Sequence, residues 1–173
     1  MATTSLTNMR RICIDKLSIN IALGEASDKV VKAARVLEAL TGQKPVFAKA
    51  KLTRRGFNVR RGEVIATYVT LRGKRAHNIL TKILDVKDNS LPSSFFSKEG
   101  NFSFGIEEHI DIEGLSYDPS IGIHGMSVTV CLKRPGGRIT KRRARRAKIA
   151  PQHHVTADEA RQWFVEEFNG QLF

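Results

Sequence analysis

Between Lys133 and Lys148 the chain places nine Lys or Arg residues and not one carboxylate. No hydrophobic core can accept such a run, because a buried charge without a partner is too costly to keep. It is not a terminal tail either. A β-branched run, Met126 to Leu132, leads into it, and a well-signed helix start follows it. The fold must therefore hold both ends of this segment while leaving its middle in water.

A second stretch behaves in the same way. Lys49 to Arg61, "KAKLTRRGFNVRR", carries six basic residues and again no acid. The two runs together hold fifteen cations against a whole-chain net charge of +12, so the remainder is net negative by three. Excess charge confined to two segments is the footprint of a polyanion partner, whereas charge spread evenly would speak only to solubility.

The remainder has the pattern of one folded body. With 173 residues, 41% of them apolar, there is enough material for a single core. Leu17, Ile19, Ile21 and Leu23 alternate with smaller or polar residues and predict a half-buried strand ending at Gly24. Ile12 and Ile14 have the opposite parity, so a bulge is expected near Asp15-Lys16. Ser27 is placed to cap a helix with Val30, Ala33, Ala34, Leu37 and Leu40 on its apolar face and Gly42 as its stop. An extended piece at 45–50, a strand at Val64 to Leu71 and a helix bearing Ala76, Leu80 and Leu84 follow. Phe102, Phe104, Ile106, Ile110 and Ile112 share parity and predict one long strand. Val155, Thr156 and Glu159 then spell a capping box opening a last helix, with Ala160, Trp163, Phe164 and Phe168 on its buried stripe. The expected fold is α+β: a single domain over 1–173, a mostly antiparallel sheet with helices on one face. Two basic loops, 49–62 and 133–150, project from it.

Several constellations bear on chemistry. Glu107, His109 and Asp111 would face one way on the long strand and could serve a metal-dependent nuclease, with Glu108 beside them. A polar strand face, or an acidic patch for a protein partner, is the preferred reading, since no other element signals a ligand. "GIHG" at 122–125 has the spacing of a KH-domain loop but lacks flanking helices. "RGKR" at 72–75 lacks the residues of a nucleotide-phosphate loop, and "HH" at 153–154 reads as a polar turn or an RNA contact rather than a ligand pair. Cys13 and Cys131 sit far apart in apolar runs, which suggests buried free thiols in a reducing compartment. No secretory signal or membrane span is expected, and no catalytic group, metal or cofactor is assigned.

The arms speak for nucleic acid. Phe57 lies among the cations of the first, where a ring can stack on an unpaired base. The competing reading has Phe57 folded back on the core. The second arm favours Arg over Lys, which suits bidentate phosphate contacts. Phosphate ligands are accordingly expected from Lys49, Lys51, Arg54, Arg55, Arg60 and Arg61, from Arg72, and from Arg138, Lys141, Arg142, Arg143, Arg145, Arg146 and Lys148.

The blocks "LSINIALGEA" (17–26), "LTGQKPVFAKAK" (40–51), "VTLRG" (69–73), "GNFSFGIEEHIDI" (100–112) and "YDPSIGI" (117–123) resemble the universal L-five family of large-subunit ribosomal proteins, called L-eleven in eukaryotes. They occur in family order from about residue 10 to 168, and "RPGGRITKRRARRAKI" resembles the archaeal and eukaryotic branch. The resemblance implies a non-enzymatic protein of the central protuberance that binds 5S ribosomal RNA and takes part in translation and subunit assembly. It implies contacts with large-subunit RNA, P-site transfer RNA, a second 5S-binding protein and a protein of the small-subunit head, and no membrane. The positions matching the family's 5S contacts are Asn20, Gln43, Phe57 and Thr70. The expected place is the cytoplasmic ribosome, with nuclear and nucleolar passage if the cell is eukaryotic. A free regulatory protein docking through its acidic patch is the remaining alternative.

Overall fold

The computed structural model describes residues 9–24 and 28–173. Strand β1 (Cys13–Ala22) leads to helix α1 (Asp28–Thr41), then to β2 (Val46–Lys49), β3 (Val64–Leu71) and helix α2 (Lys74–Asp85). A two-residue strand β4 (Ser90–Leu91) precedes β5 (Phe102–Ile106) and β6 (Met126–Lys133). A single-turn helix α3 (Arg138–Lys141), the longer α4 (Ala157–Phe168) and a short β7 (Gln171–Leu172) complete the order.

Five strands form one sheet in the order β2-β3-β1-β6-β5, every neighbour antiparallel. The alternation anticipated along β1 is real: Leu17, Ile19 and Ile21 are buried. Their register partners Val69 and Leu71 on β3, and Val128 and Val130 on β6, are buried on the same face. The bulge also stands where the parity change placed it, between Ile14 and Lys16.

That buried face is covered by helices. α1 packs on β3 and β1 through Ala33 and Leu37, and α2 on β1 through Ala76, Leu80, Ile83 and Leu84. The Gly42 amide donates to the Glu38 carbonyl at 2.8 Å, ending α1 where a glycine stop was expected. The Ser27 cap lies outside the described residues. α4 opens on the complete capping box, Thr156 accepting from the Glu159 amide while the Glu159 carboxylate accepts from the Thr156 amide. Its Phe164 meets Phe102 of β5 edge-to-face at 5.8 Å, and Phe96 closes the same aromatic cluster. Gly170 follows because a Cβ there would overlap the Phe164 ring. The chain then turns back, and β7 pairs in parallel with β4, a small second sheet that apolar patterning did not signal.

One expected element is corrected. The strand from Phe102 does not reach Ile112; it stops at Ile106. Its partner β6 begins at Met126, opposite Ile106, so residues 107–112 have no strand beside them to continue the ladder. Gly125 instead packs on the carbonyls of Ile106 and Glu107, and the chain makes a 3₁₀ turn at His109–Asp111 that still buries Ile112. The cysteines are likewise half-buried rather than buried, and both are free.

Candidate nucleic-acid interface

Helices occupy one face of the sheet and leave the middle of the other uncharged. Because side chains directly opposite in an antiparallel ladder share a face, the register defines it. Asn20 lies across from Tyr68 on β3 and Ser127 on β6; Ser18 lies across from Thr70 and Thr129. Ser103 and Gly105 of β5 extend the row beyond Thr129 and Ser127. These side chains are half-buried or exposed. Small hydroxyls and amides of this kind allow close approach by a large ligand and offer both donors and acceptors.

Charge collects at the two ends of this face. β1 and β6 run antiparallel, so the end holding Cys13 is also the end where β6 passes Lys133 into the second arm. The first arm joins β2 to β3 at the opposite end, beside Ala22. With about 3.4 Å per residue, the ten-residue span of β1 separates the two arm roots by roughly 30 Å.

The first arm is a tight hairpin. Arg54 and Val59 form an isolated bridge, a 3₁₀ turn runs from Arg55 to Phe57, and Asn58 adopts the left-handed conformation at φ 52°. Thr53 accepts from the Arg61 amide, and the Glu63 carboxylate accepts from the Arg60 amide, pinning the base. This closure points Phe57 outward with 78% of its surface exposed, so the ring does not fold back on the core. Lys49, Lys51, Arg54, Arg55, Arg60 and Arg61 are all exposed, and among the described residues none of these side chains pairs with a carboxylate.

The second arm has a docked root and an open outer half. Arg134, nearly buried, is bonded to Glu159 of the α4 capping box and reaches the Gln152 carbonyl. Burial pushes the Glu159 carboxyl up, but the Thr156 amide and the Arg134 guanidinium outweigh it and hold the group below its ordinary value. His153 meets the Pro135 carbonyl at 2.9 Å, so the first of the paired histidines fastens the arm. Asp15 of the β1 bulge lies within 4 Å of Lys133, Lys141 and Arg72. The Lys133 ammonium bonded to it keeps the Asp15 carboxyl below the usual carboxylate range. Beyond this root, Arg142 bonds the Arg145 carbonyl while Arg138, Arg143, Arg145, Arg146 and Lys148 stay exposed.

The four positions singled out for RNA contact are thus distributed, not clustered. Asn20 and Thr70 are on the open sheet face, diagonal to one another on neighbouring strands. Phe57 is at the tip of the first arm, and Gln43 is exposed between α1 and edge strand β2. Sequence reasoning missed Asp15, whose signal was only its place in the bulge. It also missed the role of Arg134, which nothing in the charge pattern separates from its neighbours.

The Glu107, His109, Asp111 arrangement does not form. His109 is buried, and its Nδ1 accepts from the His124 amide at 3.2 Å, while Glu107 and Asp111 are exposed on different turns of the chain. "GIHG" lies in an irregular segment with His124 facing inward, unlike a KH loop.

Comparison with known proteins adds a second line. A family model described as Ribosomal protein L5 matches residues 7–60, and a companion model describing the C-terminus of the same ribosomal family matches residues 64–159. The large ribosomal subunit protein uL5 of Chlamydomonas reinhardtii is 49% identical over 94% of this chain and 95% of its own length. That of Dictyostelium discoideum is 49% identical over 94% of this chain and 80% of its own. That of Tetrahymena thermophila is 46% identical over 95% of each.

Proposed function

The chain belongs to the L5 (uL5) family of large-subunit ribosomal proteins, a structural and not an enzymatic family, and on that premise we propose that it binds 5S ribosomal RNA in the central protuberance. The neutral sheet face carrying Asn20 and Thr70 receives the folded RNA, with Gln43 at the sheet edge and Phe57 stacking from the first arm. The cations of 49–62 and 133–150, with Arg72, neutralise phosphates of 5S and large-subunit RNA. The first arm approaches the P-site transfer RNA. A second 5S-binding protein and a small-subunit head protein are the protein neighbours, and the protein acts in translation and in subunit assembly. Its place is the cytoplasmic ribosome, reached through the nucleolus where the cell has one.

The observation that carries this reading is the arrangement of one uncharged face between two carboxylate-free arms rooted at opposite ends of the sheet. Arms alone would bind any polyanion; the face between them can demand a particular shape. Identifying the small RNA that co-purifies with the tagged protein tests it. Recovery of 5S RNA is expected. Recovery of bulk RNA in proportion to its abundance would contradict the proposal.

A further inference from the structure

We infer that Asp15 is a positioning residue whose carboxylate gathers Arg72, Lys133 and Lys141, from three separate segments of the chain, into one preformed pocket for a backbone phosphate of RNA. The inference rests on the RNA-binding role proposed above and adds a residue of the opposite charge to it.

The bulge between Ile14 and Lys16 interrupts the β1–β6 ladder at Asp15, at the end where β3 finishes and β6 passes into the second arm. Oδ1 of Asp15 is 2.5 Å from Lys133 Nζ and 3.7 Å from Arg72 Nη1; Oδ2 is 3.5 Å from Lys141 Nζ. An ion pair serving the fold alone needs one cation. Here one carboxylate, 13% exposed, faces three cations whose side chains remain 46%, 64% and 76% exposed. Two positive charges are left over. Among the described residues their remaining N–H groups have no other partner, and phosphate oxygens match several donors at once.

The space beside them fits that anion. The cleft bounded by Asp15, Arg72, Lys133 and Lys141 has a volume of about 670 Å³ and is also lined by Arg138 and Arg142. That is room for a sugar–phosphate segment and not merely for a lone ion. Arg134, which also lines the cleft, already has its two terminal nitrogens engaged by Glu159 and the Gln152 carbonyl. Without Asp15 the three cations would repel one another, and the turn carrying α3 would lose its tie to the sheet. The carboxylate therefore sets the spacing of the donors although it repels the ligand.

Substitution of Asp15 separates two accounts by sign. Asp15→Asn raises the net charge by one, so plain electrostatics expects tighter RNA binding, as for any removed carboxylate. Positioning expects weaker binding. The control is Glu113→Gln, an exposed carboxylate that does not line the cleft. Both variants are titrated against 5S RNA and a random-sequence RNA of equal length at one salt concentration. Relative to E113Q, D15N should bind both RNAs about tenfold more weakly. Amide exchange at Arg142, whose N–H bonds the Arg138 carbonyl, should quicken in D15N without RNA. D15N that binds as tightly as E113Q, or tighter, overturns the inference. Should D15N fail to fold, Lys141→Gln decides: a salt slope shallower by about one is expected, and an unchanged slope overturns it. Wild-type protein that fails to prefer 5S RNA would refute the 5S assignment alone, because the D15N to E113Q ratio is read on either RNA.

Discussion

Asn20 of β1 and Thr70 of β3 stand diagonally across one antiparallel ladder, on the face opposite α1 and α2. Diagonal neighbours in such a ladder are about 7–8 Å apart, close enough for one segment of RNA to meet both. Neither residue belongs to the buried core. Thr70 is half-buried on the open face, so Thr70→Ala should change stability by no more than about 0.5–1 kcal/mol, the range of cross-strand side-chain pairs. Its affinity for 5S RNA should fall several-fold. Chemical denaturation and RNA titration of the same preparation check the pair, and a large loss of stability would show the residue to be structural.

The arms should account for most of the salt dependence. Replacing Arg54 and Arg55 with Ala removes two exposed cations of the first hairpin that pair with no carboxylate among the described residues. The slope of log affinity against log salt should become shallower by about two, with random RNA affected as much as 5S RNA. A series of titrations over salt concentration measures it directly. An unchanged slope would place these two side chains away from phosphate.

Acid should weaken the segment that follows β5. His109 and His124 are both buried, and the Glu107–Gly125 region closes on them through the His109 amide to His124 carbonyl bond and its converse to Nδ1. Burial pushes both imidazoles below the ordinary histidine value, aided at His109 by His124 and at His124 by Lys32 and Lys29. The folded state thus holds fewer protons than the unfolded one. This contribution to stability is full above the unfolded value of about 6.5 and is lost as pH falls through it toward the lowered folded values. Urea midpoints at about pH 7.5, 6.5 and 5.5 should decline across the titration range of histidine, and His124→Gln should flatten the decline. A midpoint that rises over this range would reverse the sign and refute the argument.

The aromatic cluster is the seam between α4 and the sheet. Phe164 touches Phe96, Phe102 and Phe168 and lies under Gly170. Phe164→Ala should cost about 3–5 kcal/mol through lost burial and the cavity left behind. Calorimetry should record a melting temperature lower by very roughly 10 °C for a chain of this size. A loss under about one kilocalorie would mean that α4 is not held by this contact.

Local chemistry made much of this molecule legible in its residues. β1, with its bulge, follows from the parity of Ile14 and Leu17, and α4 from Thr156 and Glu159, because both signals lie within a few positions of the element they define. The stretch 107–112 misled because Ile110 and Ile112 keep the strand period, whereas pairing depends on where β6 begins, about twenty residues later. β7 was invisible for the same reason: two residues hold their place through distant Ser90 and Leu91. At the interface, Phe57 and the basic runs could be singled out by composition alone. The Asp15 cluster could not, since it joins β1, the residue after β3, β6 and α3 across more than a hundred positions.

The central claim is that the open sheet face and the Phe57 tip select 5S RNA while the arms supply general affinity. The most direct measurement compares wild type, Asn20→Ala and Phe57→Ala on 5S RNA and on a random-sequence RNA of equal length, at one salt concentration. Wild type should prefer 5S RNA by at least about a hundredfold, and each variant should lose roughly tenfold of that ratio while holding random RNA nearly as before. Equal losses on both RNAs, or no preference in the wild type, would contradict the account.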